Sequence, residues 1–421
     1  MRVMEDGRTV PAERTGRKGS LLLVTMVRLR QGPKGLQLDD QTCAGLVRWT
    51  ECFEHVVFCG LLSDEDDDTS VTWLDVDDLP NRERMRIVAL PLAYKVGAFL
   101  RKYRAVRAML ADEIRRADKL CFTIGYVFGD WGGVGALEAV RQKRKFAVWF
   151  DRVEHDVLYN TLDAMSFRRR LKERLTLPLM RPYHHYLVRK SSLGLFQGMD
   201  TFREYAPSTS NPACVYDVHT KPEDFILPEA VRRKIAEIEN GAPLRIAYAG
   251  RAVAMKGPED WLHAIAGAVR AGVDLKAVWL GDGPLLPRME ALVQELGLTS
   301  HVELAGYVSS REKLLDVLRE SHVFLFCHKT AESPRCLIEA LVCGCPIVGY
   351  RAPYPMGLVE GFGGGEFSQM GDADALAALI AGLDHDRQRL AALVQDAVRC
   401  GRRFDEETLY RERAELMAAY A

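Results

Sequence analysis

Two carboxylates, Glu332 and Glu339, lie in the segment "AESPRCLIEALVCGC" and could bind hydroxyl groups or cations. Apolar residues flank Glu339 on both sides, with Ile338 before it and Ala340 after it, so it falls on a helix that we expect to be buried. A buried carboxylate without hydrogen-bond donors is costly. Either a polyhydroxyl ligand or a structural ion pair, with an arginine that the sequence does not identify, must supply those donors.

The same segment carries the signals of a short helix. Ser333 is a favoured N-cap residue, Pro334 is a favoured first residue, and a glycine and a proline follow the apolar run. These signals predict a helix from about residue 334 to about residue 343. Its first backbone amides, from Arg335 to Leu337, could donate hydrogen bonds to phosphate oxygens.

Two cations precede a second helix start. In "YAGRAVAMKGPEDW" a predicted strand ends at Gly250, a loop carries Arg251 and Lys256, and Gly257-Pro258 opens a helix. Backbone amides, the helix dipole and two cations together can form an anion site. The alternative is a pair of surface charges in an ordinary loop.

A glycine turn leaves the end of the next predicted strand. The sequence "WLGDGPLLPRMEAL" places Gly281 at the start of this turn, where the ligands of parallel sheets gather. Alone it is only a turn signal. Together the three segments predict a site for a nucleoside diphosphate joined to a sugar, with Glu339 on the ribose hydroxyls.

Short apolar runs alternate with amphipathic stretches along the chain, which is typical of parallel sheets covered by helices. Runs such as "SLLLVTMVRL" and "KFAVWFD" belong to a first cycle, and "LRIAYAG" and "HVFLFC" belong to a second. We therefore predict an α/β fold of two Rossmann-like doubly wound domains that face each other across a cleft.

A stretch rich in proline and charge separates the two cycles and predicts an interdomain connection. The predicted limits are a polar extension over 1–19, an acceptor domain over 20–222, a linker over 223–242, a nucleotide-sugar-binding domain over 243–400, and a C-terminal helix over 401–421 that could pack back on the first domain.

The composition excludes several classes of function. A net charge of −1 over 421 residues gives no global field for nucleic acid. The ten cysteines show no zinc-like spacing and mostly lie in apolar runs, which fits reduced thiols and no metal. The acidic run "SDEDDD" (63–68) could hold a divalent ion, but a solvated loop is the favoured interpretation.

No apolar run reaches the length of about 18 residues that a membrane span requires. The polar start also lacks the apolar core of a signal peptide. We therefore expect a cytoplasmic protein that at most touches the inner face of the membrane.

Four blocks, "GRAVAMKG", "GDGPLLPRMEAL", "VELAGYVSSREKL" and "ESPRCLIEALVCGCPIVGY", resemble in order and spacing the donor-binding half of glycosyltransferase family 4, the glycosyl transferases group 1. The resemblance covers residues 244–350 and continues through 371–380, whereas the N-terminal half resembles the family only in general layout. It implies a retaining, metal-independent GT-B enzyme of the hexosyltransferase type (EC 2.4), without a cofactor. The implied donor is a UDP- or GDP-linked sugar, and the implied acceptor is a hydroxyl group of a glycan, a lipid-linked substrate or a small molecule, in glycan, glycolipid or natural-product biosynthesis.

The resemblance also implies roles for individual residues. Arg251 and Lys256 would neutralise the donor diphosphate, Glu339 would bind the ribose, and Glu332 would face the transferred sugar. The implied donor-binding set further includes Gly35, Gly250, Gly281, Ser333, Pro334, Arg335, Cys336 and Leu337. One departure concerns Glu332, because six residues separate it from Glu339 where the family pattern has seven. By similarity, the acceptor hydroxyl attacks from the face that the diphosphate leaves, and the departing phosphate accepts its proton.

Two candidates come from the N-terminal half. Gly35 lies in "RQGPKGLQ", a loop that could approach the donor or could be a plain turn. His155, in "VWFDRVEHDVLYN", follows a predicted strand end and resembles a histidine that relatives place near the transferred sugar, which makes it a catalytic candidate. The alternative is a structural histidine.

The stretch "SFRRRLKERLTLPLMRPYHHYLVRK" (166–190) alternates basic and apolar residues. Such a stretch can lie on an anionic membrane and would suit a lipid-linked acceptor. A solvated helix face is the favoured alternative.

Other classes of protein compete with the transferase. A Rossmann dehydrogenase is disfavoured, because no Gly-x-Gly-x-x-Gly motif follows a first strand. A nucleotide-sugar epimerase, a phosphorylase or a non-catalytic nucleotide-sugar-binding protein would share the two-domain layout.

Overall fold

The structure is a computed structural model that describes residues 19–63, 72–162, 165–330 and 332–421, without the side chains of Asn160 and Arg168. The described residues form two compact units. The first comprises those up to Ile124, Phe128–Ala147 and Tyr410–Ala421, and the second comprises Gly125–Val127 and Val148–Leu409. The acidic residues 64–68, considered above as a metal site, lie outside the described residues.

The first unit is built on a mostly parallel sheet. Long β1 pairs in parallel with β3 and β6, β3 pairs in parallel with β5, and β2 and β4 add antiparallel pairs. The strands are β1 (Ser20–Gln31), β2 (Leu36–Asp39), β3 (His55–Leu62), β4 (Trp73–Asp75), β5 (Met85–Pro91) and β6 (Lys119–Thr123). The helices are α1 (Asp40–Cys52), α2 (Val96–Arg116) and α3 (Trp131–Arg141). Apolar runs such as Leu21–Val24 are buried on both faces, as parallel sheets require.

The second unit begins with elements that continue the βα alternation. They are β7 (Ala147–Phe150), α4 (Glu154–Thr161), α5 (Phe167–Lys190), β8 (Leu193–Gln197), α6 (Gly198–Tyr205), β9 (Pro212–Val215) and α7 (Pro228–Glu239). Strands β8 and β9 pair in parallel. Helix α6 follows β8 without an intervening loop, because Gly198 adopts a left-handed φ of 73° at the junction.

A six-stranded parallel sheet forms the rest of the second unit, in the order β12-β11-β10-β13-β14-β15. Its strands are β10 (Leu244–Ala249), β11 (Leu275–Leu280), β12 (Val302–Gly306), β13 (Val323–Phe326), β14 (Ile347–Tyr350) and β15 (Gly365–Ser368). The remaining helices are α8 (Pro258–Arg270), α9 (Leu286–Glu295), α10 (Arg311–Glu320), α11 (Arg335–Val342), α12 (Pro353–Val359), α13 (Ala373–His385), α14 (Arg387–Gly401) and α15 (Glu406–Tyr420).

Aromatic packing supports the centre of this sheet. Tyr248 on β10, Trp279 on β11 and Trp261 on α8 are fully buried. The ring centroids of Tyr248 and Trp279 are 4.0 Å apart, and those of Trp261 and Trp279 are 5.4 Å apart. Large rings in this arrangement bury much apolar surface and leave little room for movement. This packing therefore restricts movement of the carboxyl ends of β10 and β11.

The predicted α/β fold class is confirmed, whereas the predicted cap of the 334–343 helix is wrong. Helix α11 runs from Arg335 to Val342, and Pro334 is its N-cap residue. Ser333 lies one residue before this cap, and its hydroxyl donates to the backbone carbonyl of Gln197 at 3.4 Å. Pro334 itself has an extended ψ of 118°, so the helix starts one residue later than predicted.

The predicted domain limits remain a prediction. Within the predicted linker, α7 forms a regular helix that is anchored by Lys234, whose ammonium donates to the carbonyls of Cys343 and Gly344. At the C-terminal end, Tyr410 of α15 packs edge-on against Trp49 of α1, with ring centroids 5.0 Å apart. Within the described ranges, none of the helices combines the length and the apolar character that a membrane span requires.

Candidate functional site

The six-stranded sheet contains a topological switch point between β10 and β13. From β10 the chain proceeds outward to β11 and β12, and then returns to the other side of β10 with β13. The loops that leave β10 and β13 therefore diverge at their carboxyl ends, which is where ligands bind in open α/β sheets. Arg251 and Lys256 lie on the first of these loops, and Glu332 lies on the second.

Lys256 is the better fixed of the two predicted cations. It ends a short 3-10 turn, Ala254–Lys256, directly before Gly257 and helix α8. Gly257 has a left-handed φ of 63°, and a β-carbon there would clash with the carbonyl of Cys327, so only glycine fits this close approach to the second loop. The Lys256 side chain is only 16% exposed.

The structure brings Lys256 and Glu332 together. The Lys256 Nζ donates to Glu332 Oε1 at 2.7 Å, and the Glu332 side chain is 22% exposed. Partial burial weakens solvent screening, so this pair is better ordered than a surface ion pair. Arg251 lies five residues earlier, where its side chain is exposed and forms no ion pair with any described residue.

A buried histidine, His328, lies next to this pair. The His328 ring lies with Nδ1 3.7 Å from Glu332 Oε1, while its Nε2 is 2.8 Å from the hydroxyl of Tyr248. Burial, followed by the positive charge of Lys256, lowers the pKa of His328 well below its usual value. Lys256 therefore remains the cation that faces Glu332.

Glycines allow the first loop to pack against its neighbour. A β-carbon on Gly281 would lie 2.7 Å from the carbonyl carbon of Gly250, and Gly281 has a φ of 151°. The Gly250 amide in turn donates to the carbonyl of Leu280 at 2.9 Å. Gly250 and Gly281 therefore shape the backbone near Arg251, whereas a direct role in donor binding stays a prediction for both.

Glu339 forms the ion pair that the sequence left open as an alternative. Its carboxylate accepts from Arg311 Nη1 at 2.5 Å, and the same guanidinium contacts Asp224 Oδ2 at 3.0 Å. Arg311 remains 42% exposed and Glu339 19% exposed, so the pair is open to solvent on one side. The partner of Glu339 is therefore identified, and one face of the pair can still reach a ligand.

The segment from Ser333 to Leu337 is fixed by elements far away in sequence. The hydroxyl of Ser333 contacts Gln197 at the end of β8, and a β-carbon on Gly198 would clash with the ring of Tyr354 on α12. The amide of Leu337 donates to the carbonyl of Pro334 at 3.3 Å, so this amide is partly used inside the first turn of α11. Desolvation raises the pKa of the half-buried Cys336 thiol to about 12, which keeps it protonated.

Arg335, the first residue of α11, lies near a second carboxylate group. Its Nη1 is 3.9 Å from Asp217 Oδ2. Asp217 follows β9, and its charge, after desolvation, contributes to a raised pKa for Asp151, which follows β7. The ends of β7 and β9 thus place acidic groups within reach of the start of α11.

The structure places His155 in a cluster with α5 and α6. Its Nε2 lies 3.6 Å from both Glu204 Oε1 and Asp156 Oδ1, and Glu204 is also held by Arg181 at 2.7 Å. Burial, which the two carboxylates oppose, lowers the pKa of His155. Its Nδ1 is buried without a partner among the described residues. Within the part of the chain that the structure describes, no contact joins His155 to the Lys256–Glu332 pair, so its role near the sugar stays a prediction.

Gly35 belongs to the first unit and closes a β-hairpin. The Gly32 amide donates to the Gly35 carbonyl at 2.7 Å, in the turn between β1 and β2. A role of Gly35 in donor binding stays a prediction. Among the described residues, no group of three or more His, Cys, Asp or Glu is arranged to hold a metal ion.

Comparison with known proteins assigns the segment that carries this site. Residues 232–399 match the family described as Glycosyl transferases group 1. Over this segment, which is less than half of the chain, the sequence is similar to group 1 glycosyltransferases. The matched segment contains Arg251, Lys256, Glu332 and Glu339, and the predicted enzyme class, a glycosyltransferase, agrees with this match.

Curated relatives match shorter segments. The 2-deoxystreptamine glucosyltransferase of Streptomyces kanamyceticus is 30% identical over 122 residues, which are 29% of this chain and 31% of that protein. The amylovoran biosynthesis glycosyltransferase AmsK of Erwinia amylovora is 26% identical over 203 residues, which are 47% of this chain and 49% of that protein. The matches therefore span less than half the length of these relatives.

A solved structure matches the whole fold. HepE of Anabaena, in complex with UDP, superposes with a TM-score of 0.64 at 15% identity, over 96% of this chain and 100% of that chain. The chain has the GT-B fold, as predicted.

Sequence reasoning missed the residues that position the acidic side chains and the second loop of this site. Arg311 lies inside the quoted block "VELAGYVSSREKL", so its position at a helix start after a strand was an available signal for a partner of Glu339. Gln197 and Tyr354 gave no such signal, because they reach the site only through tertiary packing.

Proposed function

We propose that this chain is a retaining, metal-independent glycosyltransferase of family 4 that moves a sugar from a UDP- or GDP-linked donor to a hydroxyl acceptor. The observation that carries the proposal is the Lys256–Glu332 pair at the switch point of the segment similar to group 1 glycosyltransferases. It places a cation, which could bind a diphosphate, beside a carboxylate, which could accept hydrogen bonds from the hydroxyl groups of the attached sugar.

The counter-charge for the leaving group comes from the first loop. Breaking the bond between the anomeric carbon and the phosphate leaves extra negative charge on the nucleoside diphosphate. Lys256 is held next to the site by its pair with Glu332, and Arg251 is exposed on the same loop, so the diphosphate would draw Lys256 from Glu332 and both cations would stabilise that charge. The departing phosphate then accepts the proton of the acceptor hydroxyl.

Glu332 has two tasks in this proposal. In the unliganded site its carboxylate orients Lys256, and in the donor complex it accepts hydrogen bonds from the sugar hydroxyls. The one-residue-shorter spacing to Glu339 does not prevent the first task, because the 2.7 Å contact is formed. The protonated Cys336 thiol beside this pair does not act as a nucleophile.

Glu339 is proposed to bind the ribose while Arg311 holds its other side. A carboxylate has about four acceptor sites, and Arg311 uses one oxygen, Oε1. The ion pair therefore orients the carboxylate and leaves Oε2 for the ribose hydroxyls. In this proposal Glu339 both forms an ion pair and binds the ribose, which are the two roles that the sequence left open.

The ligands and activities of similar proteins support the substrate class. HepE is solved with UDP and with UDP-glucose, one relative is a 2-deoxystreptamine glucosyltransferase, and another is a glycosyltransferase of amylovoran biosynthesis. We propose that the acceptor here is likewise a hydroxyl group of a glycan, of a lipid-linked intermediate or of a small polyol.

Two measurements test the proposal. The first is a thermal-shift panel of nucleoside diphosphates and their sugars, measured without metal and with EDTA. The ligands that carry one particular nucleotide base should raise the melting temperature of the protein. Product formed from that donor with an acceptor panel should then keep the anomeric configuration of the donor, as read by the proton NMR coupling constant. Inverted product, or binding that needs a divalent ion, would contradict the mechanism. Binding without any release of nucleoside diphosphate would indicate a binding protein.

A further inference from the structure

Helix α5 exposes a stripe of large apolar side chains. Phe167, Leu171, Leu175 and Leu179 are 78%, 53%, 69% and 57% exposed, respectively. They recur at every fourth position, so they follow one face of the helix over its first three turns. We call these four residues the α5 stripe. Single exposed leucines are ordinary on protein surfaces, but an aligned row of this kind marks an interaction site.

The opposite face of α5 is buried and combines apolar with polar residues. Its buried apolar residues are Met180, Leu187 and Val188. The Glu173 side chain is nearly buried and accepts from the Thr176 hydroxyl at 3.2 Å. Farther along, His184 is fully buried and its Nδ1 lies 3.1 Å from the hydroxyl of Tyr205. This packing fixes the rotation of the helix and leaves the α5 stripe facing outward.

The charge of α5 identifies the kind of surface that would cover this stripe. The helix contains eight Lys or Arg residues and one Glu, which gives a formal charge of +7. Arg169, Arg174, Arg189 and Lys190 are exposed among them. A helix with exposed leucines flanked by basic side chains suits the boundary between the headgroups and the acyl chains of an anionic bilayer.

We propose that the α5 stripe docks on an anionic lipid surface. Its apolar side chains enter the interface, and the flanking cations pair with lipid phosphates. A second copy of this chain is a poorer occupant, because the symmetric apposition of two α5 helices would bring two charges of +7 together. The solvated helix face favoured from the sequence leaves the four exposed apolar residues without a role.

Co-sedimentation with vesicles tests this proposal on the full chain. Vesicles of phosphatidylcholine alone are compared with vesicles that also contain phosphatidylglycerol, at low and high salt. The triple variant Leu171→Gln/Leu175→Gln/Leu179→Gln removes most of the stripe. A matched control carries Leu100→Gln and Leu227→Gln, which are 63% and 67% exposed on α2 and before α7.

We expect the wild-type chain and the control to sediment with anionic vesicles only, and salt to weaken this binding. The triple variant should lower the partition coefficient by about tenfold or more, because the leucines no longer enter the apolar layer. Unchanged thermal unfolding, and an unchanged shift of the melting temperature by the nucleoside diphosphate, would show that the variant is folded.

Three results would overturn the proposal. The first is equal vesicle binding by the triple variant and the control. The second is no vesicle binding by the wild-type chain. The third is a wild-type dimer in analytical ultracentrifugation that is absent in the triple variant, since a second copy would then cover the stripe. None of these results depends on catalysis, so a failure here is distinct from a failure of the proposed transferase activity.

Discussion

At the residue scale, the site consists of two carboxylates that are each held by one cation. Lys256 holds Glu332, and Arg311 holds Glu339. Each pair keeps a partly exposed side, so a donor could add contacts without first breaking a buried network. The two pairs differ in what a ligand must do, because a diphosphate would compete with Glu332 for Lys256, whereas a ribose would only add to the contacts of Glu339.

This competition gives the first prediction, for Glu332→Gln. Removing the negative charge frees Lys256, so the dissociation constant of the free nucleoside diphosphate should fall by about two- to tenfold. Sugar transfer should nevertheless decrease by about tenfold or more, because the sugar loses its carboxylate. Calorimetric titration and a coupled assay of nucleoside diphosphate release measure the two effects. Glu259→Gln, which breaks an exposed pair with Arg288, is the control. Weaker binding of the diphosphate by Glu332→Gln would contradict the competition.

The second prediction separates the ribose role of Glu339 from its ion pair with Arg311. The wild-type protein should bind the nucleoside diphosphate about tenfold or more tightly than its 2′,3′-dideoxy analogue, since hydrogen bonds to a charged group are lost. Glu339→Gln should bind both with similar, low affinity. If Glu339 serves only Arg311, the variant would lose thermal stability and keep the same ratio of affinities.

At the scale of elements, the junction of β8 and α6 positions the second loop. Gln197 and Gly198 touch Ser333, while Tyr354 of α12 packs over the same glycine. The segment that is proposed to bind the donor is therefore shaped in part by residues outside the segment similar to group 1 glycosyltransferases, which begins at residue 232. The same α6 carries Glu204, which joins α5 to the cluster around His155.

The third prediction concerns Gly198→Ala. A β-carbon there would clash with the Tyr354 ring and lie 3.1 Å from Ser333 Oγ, at a left-handed φ of 73°. We expect a loss of about 1–3 kcal/mol in the free energy of unfolding and weaker nucleotide binding, because the second loop must shift. Urea unfolding and calorimetry measure these effects. Gly97→Ala on α2, where nothing lies within 4 Å of the added carbon, should leave nucleotide binding unchanged and should not destabilise the protein, because alanine favours the helix more than glycine does. Wild-type nucleotide affinity in Gly198→Ala would show that the junction does not position the loop.

At the scale of the whole molecule, three buried histidines make stability dependent on pH. Burial, as the first cause in each, lowers the pKa of His184 and of His322 to about 3, and that of His328 well below its usual value. The unfolded chain protonates these residues near pH 6.5, whereas the folded chain does not. Their contribution to stability is therefore fully present above about pH 6.5 and is lost as the pH falls below it.

The fourth prediction gives the size of this effect. Below about pH 6 the free energy of unfolding should fall by up to about 4 kcal/mol per pH unit, which corresponds to three protons. Urea unfolding at pH 7, 6 and 5.5 measures the slope. His322→Gln should reduce the slope by about 1.4 kcal/mol per pH unit, because it removes one of the three protons. An unchanged slope in this variant would mean that His322 is protonated in the folded chain.

The sequence predicted those parts of the molecule that depend on local signals. The glycines and cations after β10, and the α11 helix to within one residue at each end, follow from turn chemistry and strand ends. The prediction of a cap at Ser333 was wrong, and the Ser333 hydroxyl instead contacts Gln197, which lies 136 residues away. Glu204 likewise reaches His155 only through tertiary packing, which no local pattern encodes. Arg311, 28 residues from Glu339, had only the partial signal of a helix start after a strand.

The central claim is that the loop after β10 binds the diphosphate of a nucleotide, and a calorimetric titration tests it most directly. The nucleoside diphosphate that gives the largest thermal shift is titrated into the wild-type protein, Arg251→Ala, Lys256→Ala and the control Arg270→Ala, which removes an exposed cation at the far end of α8. We predict that Arg251→Ala and Lys256→Ala each weaken binding by about tenfold or more, because each removes a charge-assisted contact to phosphate, and that Arg270→Ala binds normally. Wild-type affinity in both loop variants would contradict the account.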